Sequence, residues 1–71
     1  MINTLKIKAR MVELGLTQKS IASEIGIAAP TISQKINNIR PMMLDEVEKF
    51  SEILKIRDDQ FREYFFYNPV A

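Results

Sequence analysis

The chain has 71 residues, 46% of them hydrophobic, with ten basic and nine acidic side chains and a net charge of +1. A core that small is marginal, and without cysteine or histidine neither disulfides nor a zinc site can brace it, so stability falls to packed helices and to dimerisation. No apolar run approaches the roughly 18 residues of a membrane span, and the opening MINTLKIKAR lacks the apolar core of a signal peptide, so the expectation is a soluble cytoplasmic protein that meets no membrane.

The first helix is expected over about residues 3–14. Asn3 or Thr4 can cap it. Ile7, Met11 and Leu14 form one stripe at i, i+4, i+7, with Val12 alongside, while Lys6, Lys8, Arg10 and Glu13 stay out. Gly15 ends the helix and Leu16 returns the chain to the core. Residues 16–38, LTQKSIASEIGIAAPTISQKINN, then read as two short helices across one turn. Thr17 caps the first, Ile21, Ala22 and Ile25 share its inner face, and Lys19, Ser20 and Glu24 take the wet side. Gly26 stops it in a left-handed conformation and Ile27 plugs the corner. Ala28, Ala29 and Pro30 open the second, where a missing N–H in the first turn loses no internal bond. Ile32 and Ile36 face inward, and Asn37-Asn38 end the helix with a left-handed asparagine. Such a pair is the helix-turn-helix unit that reads DNA in the major groove.

Pro41 resists helix at Arg40 and marks a loop. A fourth helix follows from about Leu44 to Lys55, its inner face made by Leu44, Val47, Phe50 or Ser51, and Leu54, with Ile53 flanking. Asp45 and Glu46 lie in its first turn, at the positive end of the helix dipole. Ile56 tucks in, and Asp58 can cap a fifth helix over about Asp59 to Phe66. The whole, residues 1–71, is expected to be one domain with 68–71 as a tail. Five of the six aromatic residues fall within 61–67. Neighbouring side chains on a helix point about 100° apart, so Tyr64, Phe65, Phe66 and Tyr67 cannot share one face. They either cover the domain's own core or meet another chain.

Charge is unevenly placed. Up to Pro41 six basic residues meet two acidic ones, a balance of +4; beyond it four meet seven, −3. An amino half suited to phosphate and a carboxyl half that avoids it fit an oriented DNA binder. Catalysis finds no support: Ser20, Ser23, Ser33 and Ser51 lack a plausible base, and Gly15 and Gly26 alone make no phosphate loop. No enzyme, cofactor or metal is expected.

In GLTQKSIASEIGI, APTISQKINN and RPMMLDEVEKFSEILKI the chain resembles the lambda-repressor-like, or Cro/C1-type, helix-turn-helix family over about Leu5 to Phe61. Its length is similar to that of short early regulators of temperate phages. The resemblance implies an all-α, compact five-helix domain with the helix-turn-helix at helices 2 and 3. It also implies base readout from Ala29, Pro30, Thr31, Ser33 and Gln34, and phosphate contacts near Gln18, Lys19, Lys35, Asn37, Asn38 and Arg40. Three departures stand out. Met11 and Ile36 occupy places where relatives often pair arginine with glutamate, an exchange a fold tolerates. Lys35 stands where relatives put an apolar residue, so Ile36 takes the inward role. Ala29 and Pro30 offer no side-chain hydrogen bonds, which leaves direct readout to Gln34, with Thr31 and Ser33 weaker.

The resemblance thus implies a sequence-specific transcriptional regulator of phage or prophage type, bound to a double-stranded operator as a homodimer. The alternative is an antirepressor or modulator that grips a partner repressor protein through the same fold. The low net charge, the Ala29-Pro30 tip and the aromatic end favour that second reading.

Overall fold

A computed structural model describes residues 1–68; the remainder of the expected tail, 69–71, lies outside the described residues. Five helices follow one another: α1 (Thr4–Leu14), α2 (Gln18–Ile25), α3 (Ala29–Ile36), α4 (Leu44–Ile53) and α5 (Phe61–Phe65), the last preceded by a 3-10 turn at Asp58–Gln60. The fold is the expected all-α, five-helix arrangement, consistent with the lambda-repressor-like fold, and α2 and α3 form its helix-turn-helix.

One device closes the first four helices. Each ends on a residue with positive φ: Gly15 at +68°, Gly26 at +89°, Asn38 at +61° and Lys55 at +53°. The amide of the residue after it returns to a carbonyl of the last turn: Leu16 to Met11 at 2.8 Å, Ile27 to Ala22 at 3.1 Å, Ile39 to Gln34 at 2.8 Å and Ile56 to Ser51 at 2.9 Å. The returning residue is apolar every time, as this C-terminal motif favours. Leu16 and Ile27 are half-buried and Ile56 is buried, so the motif both ends each of those helices and delivers a core side chain; Ile39 alone is left exposed. Both glycines and the asparagine were expected; left-handed Lys55 was not, because nothing in its side chain announces it.

The amino ends are closed differently. Asn3 Oδ1 accepts the Lys6 amide at 3.3 Å, which makes Asn3, not Thr4, the cap of α1. Thr17 and Ser20 exchange bonds in a reciprocal capping box, each amide reaching the other's hydroxyl at 3.0 Å. Glu46, three residues into α4, accepts the Met43 amide at 2.8 Å.

Ile7, Ile21, Ile32, Ile36, Phe50 and Leu54 are fully buried and come from α1, α2, α3 and α4 and its cap. Between the two candidates on α4, Phe50 enters the core and Ser51 stays half-buried. Met11 joins Ile36 in the core, both of them buried apolar side chains. Several expectations need correction. Val12 is 80% exposed and Leu44 68%, because the core seams of α1 and α4 are narrower than the apolar pattern implies. Ile25 is only half-buried. Helix α4 stops at Ile53, with Leu54 as its cap residue, and Arg57 rather than Asp58 occupies the cap position of the 3-10 turn. Phe66 falls outside α5.

Candidate nucleic-acid interface

Helix α3 presents its outer face from the side opposite Ile32 and Ile36. Ala28 caps it without a side-chain bond and Pro30 lies in its first turn. Pro30 and Gln34, four apart, therefore share the outward direction. Pro30 is exposed; Ala29, Thr31, Ser33 and Gln34 are half-buried, with Ala29 packed against the core. Among the described residues no side-chain hydrogen bond or ion pair holds Thr31 or Gln34, so the carboxamide of Gln34 keeps its donor and acceptor for an outside group. Gln18 opens α2 half-buried, Lys19 follows it exposed, and Arg40 is exposed in the loop after α3. None of these three has an internal side-chain partner among the described residues. The α3–α4 loop is held on the helix end by the Arg40 amide, 3.2 Å from the Gln34 carbonyl.

Other expected phosphate contacts are engaged inside the protein. Lys35 is buried, and its ammonium meets both carboxylate oxygens of Glu46, itself buried, across α3 and α4. It faces inward together with Ile36, not instead of it. Its partner Glu46 arrives from the first turn of α4. Burial is the largest influence on Glu46 and pushes its pKa up. The Lys35 hydrogen bond, the Met43 amide and the charges of Lys35 and Lys49 outweigh it and hold the carboxyl below its ordinary value. Asn37 turns back on its own helix, its Nδ2 donating to the Ser33 carbonyl at 2.8 Å. Asn38 binds the backbone of Ile2 through both ends of its carboxamide. The side chains of Lys35, Asn37 and Asn38 are thus each engaged within the protein, which those of Gln18, Lys19 and Arg40 are not.

Two more cations of the amino half are also engaged. Lys6 pairs with Glu63, which with burial opposing raises its pKa, and lies 5.1 Å from the centre of the Tyr64 ring. Arg10 donates through Nε to the Leu54 carbonyl at 2.9 Å and so closes the carboxyl end of α4. The +4 balance of the amino half therefore overstates the charge available to a polyanion; among the described residues Lys8, Lys19 and Arg40 remain without an internal partner.

The aromatic end divides between its two expected roles. Tyr64 and Phe65 are buried in the domain's own core, which removes them from a partner surface. Phe66 is 59% and Tyr67 40% exposed. Phe66 stacks over Phe61 with ring centres 6.2 Å apart. Sequence reasoning missed Glu46 as the partner of Lys35. The available signal was a lysine in an apolar seam together with an acid three residues into the next helix.

No helix among the described residues is long and apolar enough to cross a membrane. Comparison with protein families matches residues 7–61, well over half of the chain, to the family described as helix-turn-helix. Comparison with characterised proteins and with solved structures gave no match.

Proposed function

We propose, since this chain belongs to the helix-turn-helix family, a fold suited to DNA-binding regulation in general, that it is a sequence-specific transcriptional regulator of the phage or prophage Cro or repressor type. It acts in the cytoplasm as a homodimer on a double-stranded operator, each α3 in a major groove and the half-sites about one helical turn apart. The observation that carries this reading is the unengaged outer face of α3: Pro30 and Gln34 lie on the side away from Ile32 and Ile36, and Gln18, Lys19 and Arg40 have no internal side-chain partner among the described residues. Gln34 is the base reader, suited to adenine N6 and N7, and the exposed Pro30 presses on a thymine methyl. Thr31 and Ser33 are secondary.

Selection of bound duplexes from a random pool supplies the operator, and titrations of Gln34→Ala and Arg40→Ala at several salt concentrations test the roles. Gln34→Ala is expected to lose about 1–3 kcal/mol on the selected site and to relax preference at one base pair. Arg40→Ala weakens all sequences alike and lowers the salt slope by about one. Variants that change specificity identically defeat the assignment.

An antirepressor role is the second reading, favoured by the exposed Phe66 and Tyr67 and by the engagement of Lys6, Arg10 and Lys35 elsewhere. A gel shift with the protein alone, then with a neighbouring repressor, separates the two. A shift only in company supports the second.

A further inference from the structure

Residues 1–4 run between two distant parts of the fold. On one side, Asn38 Oδ1 accepts the Ile2 amide at 2.8 Å and Asn38 Nδ2 donates to the Ile2 carbonyl at 2.9 Å. One side chain thus satisfies both polar groups of one residue, as a neighbouring strand would. Thr4 Oγ1 donates to the Ile36 carbonyl at 2.6 Å and lies 3.3 Å from Asn38 Nδ2. On the other side, the Asn3 amide donates to the Tyr64 carbonyl at 2.9 Å and the Tyr67 amide to the Met1 carbonyl at 3.0 Å. The Ile2 side chain is buried beneath this ladder. Position 38 is left-handed, like Gly15 and Gly26, yet it carries an asparagine where glycine would fit with less strain. The carboxamide is what glycine would lack.

We propose that residues 1–4 form a strap that fixes the carboxyl end of α3 against α5, with Asn38 and Thr4 as positioning residues for base reading. The inference rests on the assignment of α3 as the reading helix. Its physical reason is leverage. An eight-residue helix is about 12 Å long, so a tilt of about 5° about its amino end moves the far end by about 1 Å. That exceeds the roughly 0.5 Å spread of good hydrogen-bond distances. Lys35 tethers α3 to α4 on one flank; the strap holds the carbonyl of Ile36 and the turn at Asn38.

The test uses the full chain and a duplex it selects from a random pool, with affinity read by fluorescence anisotropy over a range of salt. Asn38→Gly keeps the left-handed turn and removes the carboxamide. Thr4→Val is isosteric and removes the hydroxyl from a residue outside the reading face; Thr4→Ser restores it. Each of the first two is expected to lose about tenfold in affinity for the selected duplex, roughly the worth of one or two hydrogen bonds. The salt slope stays unchanged and the Ile2 amide exchanges faster. The double variant is expected to lose little more than either single one, because both act through one strap, and Thr4→Ser binds like the unaltered chain. Additive losses in the double variant would give Asn38 and Thr4 separate roles and overturn the proposal. Faster exchange with unchanged affinity would also overturn it, leaving the strap a structural tie. If the unaltered chain selects no duplex, the reading of α3 itself fails, a result distinct from either.

Discussion

Replacing Lys35 with methionine separates a structural lysine from a DNA-binding one. Its side chain is 9% exposed and that of Glu46 12%, and the two are joined through both carboxylate oxygens. Lys35→Met leaves the carboxylate with only the Met43 amide. Removing one member of a buried pair typically costs about 3–5 kcal/mol. A chain of 71 residues has about 4–10 kcal/mol of total stability, so the variant is expected to be close to half unfolded or to show a much lower urea midpoint. Lys35→Met combined with Glu46→Gln removes both charges while an amide oxygen still accepts from Met43. That double variant is expected within about 1 kcal/mol of the parent, since a neutral, well-packed replacement of a buried pair is often tolerated. Equilibrium urea denaturation of the four proteins gives the cycle. A single-variant loss under about 1 kcal/mol, the range of an exposed pair, refutes the buried-pair reasoning. A DNA salt slope reduced by about one in the folded double variant would return Lys35 to the phosphate backbone.

Acid should act at the same place. The carboxyl of Glu46 is held below its ordinary value in the folded chain, so its contribution is complete above the unfolded value of about 4.3 and is lost as pH falls through the lower, folded one. Urea midpoints recorded from pH 6 downward should fall more steeply for the parent than for the Lys35→Met/Glu46→Gln double variant. Parallel curves would count against the pair. Gly26→Ala should cost about 1–2 kcal/mol through the left-handed backbone alone, since an added methyl group meets nothing within 4 Å; a neutral thermal melt contradicts this. Phe66→Ser is expected to shift the sedimenting species toward monomer while the chain stays folded, because the ring is 59% exposed. An unchanged sedimentation profile would show that Phe66 takes no part in a dimer surface.

Local chemistry made much of this domain legible in its residues. Gly15, Gly26 and Asn38 end helices because the left-handed conformation costs those residue types least, and Thr17 caps because a hydroxyl there meets an orphan amide. The isoleucines at helical spacing name the core of the helix-turn-helix, and Pro30 and Gln34 fall on its outer face by the same period. What spacing left undecided is which polar side chains stay free. Lys35, Asn38, Lys6 and Arg10 each look like an available surface group in one dimension. Each is instead engaged by a partner 11 to 57 residues away: Glu46, Ile2, Glu63 and the end of α4. Tyr64 and Phe65 turn inward on α5 while Phe66, just past its end, turns out. Helical period and end signals are local and can be read along a chain. The pairing of charges and the choice of buried ring depend on which helices the packed core brings together, and that only the tertiary structure decides.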